Sequence, residues 1–244
     1  MPSNKEFVSS KDFGLLLMGP ALTGKTNVAI EFPKPYFIDL DKKLTNAVQR
    51  HPTKEFWYDY VDVDDKGKPI QEALRYKRLI QLMKKAVVNP EIETIVIDGL
   101  SQVGICLMDH ILADEKNPTL IGGVQVPTLK HWQPFGILLT KLIMLGRASE
   151  KKFICVAHTG TEKDENTGIS MEVPLVQSNT RYKLASMFTD VWNTSAKVRG
   201  GKPEYRVRTQ PKANLALVSS VPGIPAEFEF TWDEYQKHMR AAGS

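Results

Sequence analysis

Eight consecutive residues constrain this chain more than any other feature of its sequence. Residues 19 to 26 read Gly-Pro-Ala-Leu-Thr-Gly-Lys-Thr, which matches the pattern GxxxxGK[ST] at all four fixed positions. The apolar run from Leu15 to Met18 predicts a buried strand before them, and the residues after them predict a helix. A glycine-rich turn between a strand and a helix directs backbone N–H groups at an anion. We therefore predict a phosphate-binding loop.

The fixed residues of this loop each have a chemical role. Lys25 is expected to bring a positive charge to the β- and γ-phosphates of a nucleotide, and the Thr26 hydroxyl is expected to reach Mg²⁺. The glycines allow the backbone to close around the phosphates. The predicted ligands are ATP and Mg²⁺, and the predicted nucleotide contacts are Gly19, Pro20, Ala21, Leu22, Thr23, Gly24, Lys25, Thr26 and Asn27.

Length and composition favour one ATPase core. The chain has 244 residues, 42% of them hydrophobic, which is enough for a sizeable core. No apolar stretch has the roughly 20 residues that a membrane helix needs, so no membrane partner is expected. The cysteines, Cys106 and Cys155, lie in apolar segments and are typical of buried thiols in a reducing cytoplasm. We expect a flexible leader at 1–12, the core at 13–225 and a tail at 226–244.

Strand-like and helix-like segments alternate along the chain, as in α/β proteins with a parallel sheet. Two glycines at 200–201 separate the last two strand candidates and predict a hairpin. Segments 114–130 and 159–180 show no sustained period and are expected to be long loops of functional importance. The expected strands are 15–18, 36–40, 55–63, 93–98, 152–158, 190–198 and 204–209, and the expected helices are 25–32, 69–87, 100–112, 132–146, 182–188 and 230–240.

Acidic residues end two of the expected strands. Asp98 follows a buried run and is expected at the carboxyl edge of the sheet, where it can hold Mg²⁺ together with Thr26. Asp39 and Asp41 end the strand that follows the first helix. If that strand lies beside the strand of the phosphate loop, either carboxylate can polarise an attacking water. The residues alone leave the choice between them open.

Positive charge is concentrated near the carboxyl terminus. Between Arg181 and Lys212 there are eight basic residues and two acids, a local charge of +6, whereas the whole chain carries +4. Such a zone suits contact with a phosphate backbone, but it is equally typical of a solvated basic face. The candidates for contact with DNA or with a neighbouring subunit are Lys130, Arg181, Lys197, Arg199, Arg206, Arg208 and Lys212.

These motifs together resemble the RecA/RadA-like recombinase core. The phosphate loop, Phe37 to Asp41, Ile95 to Asp98 and Val156 to His158 carry the resemblance, which covers roughly residues 12 to 225. More closely, the chain is similar to the short phage-encoded RecA-like single-strand annealing ATPases of the Sak type. The resemblance implies an α/β fold of the RecA-like P-loop NTPase class, with a mostly parallel sheet flanked by helices and a carboxyl-terminal β-hairpin.

The resemblance also implies roles for four residues and a set of partners. Lys25 and Asp98 would act in catalysis, Asp41 would be the catalytic base, although the family usually has Glu there, and His158 would sense the γ-phosphate. The implied activity is DNA-stimulated ATP hydrolysis by a cytoplasmic homo-oligomer, either filament or ring, in recombination, annealing or repair. The implied partner is single-stranded DNA, and a phage single-strand-binding protein is a further candidate.

Three other functions remain open at this stage. A motor or loader ATPase of the same fold would act on duplex DNA or on a protein. A small-molecule kinase would need a mobile lid carrying arginines, and no compact segment of that kind stands out. A nucleotide-gated binding module would show little turnover, and Asp41 in place of Glu favours that alternative.

Overall fold

The computed structural model describes residues 13–163, 168, 170–177, 180–199, 202–211 and 216–242. The strands in this part of the chain are β1 (Gly14–Gly19), β2 (Pro35–Asp39), β3 (Trp57–Tyr60), β4 (Thr94–Asp98), β5 (Leu120–Ile121), β6 (Val124–Gln125), β7 (Lys152–Lys163), β8 (Ser170–Pro174), β9 (Asp190–Arg199), β10 (Lys202–Arg208) and β11 (Glu227–Phe228). The helices are α1 (Lys25–Ile30), α2 (Leu44–Arg50), α3 (Glu72–Val88), α4 (Leu100–Ala113), α5 (Leu129–Arg147), α6 (Thr180–Leu184) and α7 (Trp232–Ala242).

Most of the strands form one large sheet with the order β11-β10-β9-β1-β7-β4-β2-β3, and β8 pairs with β7. The pairs that involve β1, β2, β3, β4, β7 and β9 among themselves are parallel. Strand β10 is antiparallel to β9 and to β11. The predicted fold is therefore confirmed: a mostly parallel sheet, flanked by helices, with the β9–β10 hairpin towards the carboxyl terminus.

Helices cover both faces of the central strands. The residues of β1, β2 and β4 are all buried, which explains why these strands read as apolar runs. Helices α3, α4 and α5 pack on one face, and α1, α2 and α7 pack on the other. Among the described helices, none is both long and apolar enough to cross a lipid bilayer.

The two segments expected to be loops contain regular structure. In segment 114–130, β5 and β6 form a small antiparallel hairpin, and α5 begins at Leu129. In segment 159–180, β7 continues to Lys163 and pairs with the antiparallel strand β8. The prediction of irregular loops was wrong for these parts. Residues 164–167, 169 and 178–179 lie outside the described residues.

The segment set apart as a tail packs against the sheet. Strand β11 pairs with β10 at the sheet edge. Phe230 stacks on Phe32 with ring centroids 5.0 Å apart, and Tyr235 meets Trp192 edge to face at 5.4 Å. Phe230 and Tyr235 belong to the same buried cluster as Phe32 and Trp192. The described part of 226–244 therefore contributes apolar contacts that stabilise the sheet.

The candidate site residues lie at one edge of the sheet. Gly19 on β1 lies beside His158 on β7, and Asp39 on β2 lies beside Asp98 on β4. The carboxyl ends of these parallel strands therefore meet at one edge, where open α/β sheets bind ligands. Strand β2 is adjacent to β4, whereas β1 is flanked by β7 and β9. The condition stated for a direct role of Asp39 or Asp41, that β2 lies beside β1, is therefore not met.

Candidate nucleotide-binding site

The phosphate loop, residues 19–26, connects β1 to α1 through left-handed backbone. Leu22 has φ of 63° and Gly24 has φ of 85°. Turns of this kind point successive N–H groups into one concavity, which can receive an anion. The Leu22 side chain is 90% exposed, so packing does not hold it in this conformation. The loop shape instead depends on the backbone and on contacts beneath it.

Lys25 lies over the loop with its ammonium group turned inward. Its Nζ donates to the carbonyl oxygens of Gly19 at 2.9 Å and Pro20 at 2.6 Å. Burial lowers the pKa of Lys25 to about 8, against the opposing influence of Asp98 and Asp41. The side chain therefore stays mostly protonated at neutral pH. The two carbonyl oxygens hold the ammonium group at a position where a phosphate oxygen can take their place as acceptor.

Thr26 and Asp98 meet at the start of α1 and the end of β4. The Thr26 hydroxyl donates to Oδ2 of Asp98 at 2.8 Å. Burial raises the pKa of the Asp98 carboxyl to about 7, and the hydrogen bond from Thr26 opposes this shift. Two adjacent oxygen donors of this kind suit Mg²⁺, which usually takes one or two protein ligands and completes its shell with water and phosphate. Lys25, Thr26 and Asp98 thus lie together in one cleft.

Asp39 and Asp41 have different environments. Asp39 is 1% exposed, and its carboxylate accepts backbone N–H groups of Asp41 at 3.0 Å, Lys42 at 2.8 Å and Leu44 at 3.4 Å. This carboxylate organises the turn from β2 into α2. Asp41 instead lines the cleft, and its Oδ2 accepts from Lys43 Nζ at 3.2 Å. Of the two acids, Asp41 is the one that lines the cleft.

His158 connects Lys25 to Asp41. Its Nδ1 lies 3.4 Å from Lys25 Nζ, and its Nε2 lies 3.4 Å from Asp41 Oδ2. An ammonium group only donates, so Nδ1 accepts from Lys25, and Nε2 carries the proton that Asp41 accepts. Burial and the charge of Lys25 lower the pKa of His158 below its usual value of 6.5, while Asp41 opposes them. The imidazole is therefore neutral at neutral pH.

Tyr205 and Arg50 close the far side of the same cleft. The Arg50 guanidinium donates to the Tyr205 hydroxyl and lies 5.0 Å from the centre of its ring. The cleft has a volume of about 480 Å³, and the polar side chains of Asn46 and Gln49 also line it. Sequence reasoning missed this group. No local signal marks it, because 155 residues separate Arg50 from Tyr205.

Five of the seven candidate DNA-contacting cations have described side chains, and these five do not line the cleft and are paired with acids. Lys130 bonds to Glu115 at 2.7 Å, and Arg181 bonds to Glu162. Glu227 lies within 3.4 Å of three cations at once, namely Lys197, Arg206 and Arg208. Arg206 also pairs with Glu204 at 2.8 Å. The Arg199 side chain and all of Lys212 lie outside the described residues.

The ion pairs of Glu204 and Glu227 define one polar surface on β9, β10 and β11. Register places Lys197 opposite Glu204 and Arg206 opposite Ser195 across β9 and β10, so they share a face of the hairpin. We call the group Lys197, Glu204, Arg206, Arg208 and Glu227 the hairpin charge cluster. Its three cations and two acids leave one excess positive charge.

The β5–β6 hairpin exposes apolar side chains, unlike the hairpin charge cluster. Leu120, Ile121 and Val124 are 58%, 68% and 66% exposed. Next to it, His131 is buried and bonds to Glu115 at 3.0 Å, so it caps α5 and holds the hairpin base. Trp132 packs partly buried against the core. This hairpin is thus apolar, and its neighbouring His and Trp have structural roles.

Comparisons with known proteins identify the family of the chain. A family model described as an AAA domain matches residues 12–215, which include the phosphate loop, Asp98 and His158. Among curated proteins, none matches the chain significantly. A solved structure of a KaiC-like protein from the hyperthermophilic archaeon Pyrococcus horikoshii OT3 aligns at 10% identity and a TM-score of 0.42, covering 81% of this chain and 78% of that one. That similarity is too low to add to the argument.

Proposed function

This chain belongs to the AAA domain family, and on that premise we propose that it hydrolyses ATP and binds single-stranded DNA when ATP is bound. We further propose that it acts as a cytoplasmic homo-oligomer in phage-type recombination, annealing or repair, together with a phage single-strand-binding protein. The observation that carries the proposal is the convergence of Lys25, Thr26, Asp98, Asp41 and His158 on one cleft.

Phosphate binding follows from the contacts of Lys25. Its ammonium group donates to two carbonyl oxygens of the phosphate loop. A phosphate oxygen carries more negative charge than a carbonyl oxygen and forms a stronger, charge-assisted bond. A triphosphate seated in the loop therefore draws Lys25 from the carbonyls to its β and γ oxygens.

The residues next to Lys25 fit Mg²⁺. The Thr26 hydroxyl and the Asp98 carboxylate would hold the ion, and both already share one hydrogen bond. When bound, Mg²⁺ neutralises charge on the phosphate oxygens and favours their displacement. Among the described residues, no group of three His, Cys, Asp or Glu side chains could hold a metal alone. This agrees with an ion that arrives with the nucleotide.

Asp41 and His158 favour hydrolysis over simple binding. Both border the cleft on the side of Lys25, which is where the γ-phosphate is expected. A carboxylate and a neutral imidazole are groups that orient and deprotonate water. A nucleotide-gated module without turnover would need a group that senses the γ-phosphate but none that deprotonates water.

The hairpin charge cluster supports DNA binding. Its cations are 66% exposed at Lys197, 30% at Arg206 and 31% at Arg208. Each is paired with a carboxylate that a row of phosphates can replace, since both present anionic oxygens. Phosphate contacts of this kind carry no sequence preference.

The β5–β6 hairpin favours a second candidate, a motor or loader that acts on a protein. Exposed Leu120, Ile121 and Val124 suit a protein surface better than a phosphate backbone. The discriminating experiment measures phosphate release with single-stranded DNA, duplex DNA or no polymer, with Lys25→Ala as the inactive control. Stimulation by single-stranded DNA supports the first function. Hydrolysis that neither DNA stimulates would favour the loader that acts on a protein. Absence of hydrolysis by the wild type would refute the proposed ATPase activity.

A further inference from the structure

We infer that His158 is the general base of this site and that Asp41 is a positioning residue that acts through it. The inference deepens the proposed ATP hydrolysis and rests on it. It differs from a direct role of the Asp41 carboxylate, which was the expectation from sequence.

The hydrogen bonds of Asp41 argue against direct contact with water. Its Oδ2 accepts from Lys43 Nζ at 3.2 Å and faces His158 Nε2 at 3.4 Å, so this oxygen is already shared by two donors. Its Oδ1 lies against Gly99, where an added Cβ would approach it to 2.7 Å. The Asp41 side chain is 11% exposed, whereas that of His158 is 27% exposed. The imidazole is thus the group of the pair that is open to solvent.

The orientation of the ring selects Nδ1 as the reactive atom. Asp41 accepts the Nε2 proton, which leaves the Nδ1 lone pair directed at Lys25. A carboxylate behind one imidazole nitrogen fixes the tautomer and stabilises the imidazolium that forms at the other. Asp41 keeps its negative charge throughout.

Lys25 lies with its ammonium group against this lone pair. Its ammonium lies 3.4 Å from Nδ1 while it also holds Gly19 and Pro20. When Lys25 moves to the phosphates, Nδ1 loses that donor and faces the γ-phosphate side of the cleft. The base is therefore exposed by the substrate itself.

Charges on α1 and on the turn between β2 and α2 act on the imidazole. Lys25 on α1 and Lys43 before α2 lower the pKa of His158, Asp41 after β2 raises it, and burial has the largest effect, a lowering. The Asp98 carboxyl ends β4, the strand next to β7. The neutral ring needed for proton transfer is thus the major form at neutral pH in the free protein.

In the proposed step, one water molecule is split between His158 and the γ-phosphate. Water gives one proton to His158 Nδ1 while its oxygen forms a bond to the γ-phosphorus. The bond between that phosphorus and the β–γ bridging oxygen breaks, and its electron pair stays on ADP. His158 becomes an imidazolium paired with Asp41, and it returns the proton to solvent after inorganic phosphate leaves.

The decisive variant is His158→Gln, with His158→Asn as a second shorter amide. An amide keeps a hydrogen-bonding group for sensing phosphate but accepts no proton at neutral pH. We expect kcat for MgATP to fall by roughly 10²- to 10⁴-fold, the usual contribution of a general base, with KM changed little. Binding of a fluorescent ATP analogue verifies that each variant is folded. Turnover within threefold of wild type in either amide variant would overturn the inference.

The pH dependence of kcat provides an independent readout. At saturating MgATP the wild type should lose activity along an acid limb below about pH 6.5, because the pKa of His158 is lowered from that value. The residual rate of His158→Gln should lack this limb, and Asp41→Asn should lower kcat and move the limb. His238→Gln on α7, which pairs with Glu234, is the matched control and should keep the wild-type profile.

Two failures can be told apart by these measurements. A wild type that releases no phosphate overturns the proposed function and this inference together. A wild type that is active but shows no acid limb, or shares its limb with His158→Gln, overturns this inference alone.

Discussion

The ring of Tyr205 covers Gly24 so closely that no side chain fits between them. A Cβ added at Gly24 would lie 2.5 Å from Cδ1 of Tyr205. Gly24 also has φ of 85°, which residues that carry a Cβ rarely adopt. Strand β10 therefore rests directly on the phosphate loop, and position 24 is limited both by backbone conformation and by a neighbour.

Gly24→Ala should damage the site more than its backbone strain alone explains. Left-handed backbone costs an alanine about 1–2 kcal/mol, and the clash must in addition displace Tyr205 or the loop. We expect at least tenfold weaker binding of MgATP, measured by fluorescence titration, together with a lower midpoint of thermal unfolding.

Gly67→Ala is the matched control for that variant. Gly67 has φ of 75°, and nothing lies within 4 Å of a Cβ added there. Gly67→Ala should lower the free energy of unfolding by the cost of left-handed backbone alone and should keep the nucleotide affinity of the wild type. Equal nucleotide affinity in the two variants would show that the contact between Tyr205 and Gly24 has no effect on binding.

Lys25→Ala should abolish tight MgATP binding and with it all ATP-dependent DNA binding. The variant removes the only cation that donates to the loop carbonyls among the described contacts. Isothermal titration with MgATP and DNA-binding anisotropy measure both losses. Unchanged turnover by the purified variant would mean that this cleft is not the active site.

Asp41→Asn and Asp39→Asn should separate catalysis from stability. Asp41→Asn should bind MgATP and hold DNA at least as tightly as wild type, with phosphate release lowered by about 10²- to 10⁴-fold. Asp39→Asn loses a carboxylate that accepts three backbone N–H groups. Its free energy of unfolding should fall by roughly 2–3 kcal/mol, with turnover largely kept. An inactive Asp39→Asn beside a normal Asp41→Asn would reverse these assignments.

The hairpin charge cluster can be tested by salt dependence. Replacing Lys197, Arg206 and Arg208 with Gln should weaken single-stranded DNA binding and flatten the log–log salt slope by about 0.7 for each lost phosphate contact. Glu227→Gln is the opposite change. Bonds and charges from Arg208 and Lys197 hold the pKa of Glu227 low, so the acid is ionised and its removal should tighten DNA binding. Slopes equal to wild type in both variants would place the DNA elsewhere.

Local signals in the sequence predicted the centre of the fold. The run from Leu15 to Met18 and the run ending at Asp98 are buried on both sides, so apolar character alone identified them. The phosphate loop has a fixed spacing, so its contacts with Lys25 and Thr26 were also predictable. Each of these features depends on residues close together in the chain.

Features that depend on distant partners were not predictable in the same way. Strands β7 and β8 extend into polar residues such as Thr161 and Glu172, which pair with each other rather than with the core. Glu227 neutralises Arg208 from 19 residues away. The adjacency of β2 and β4 depends on strand order, for which neither strand carries a local signal.

The hydroxyls of Thr23 and Thr194 lie 2.6 Å apart, and Thr194 also donates to the Met18 carbonyl. The phosphate loop is thereby tied to β9, the strand that carries Lys197. A polymer that shifts β9 on binding must change the affinity of the loop for nucleotide. By thermodynamic linkage, nucleotide then changes the affinity for the polymer by the same factor. If the proposed DNA contact at Lys197 shifts β9, this pair of threonines is one route by which the two ligands would affect each other.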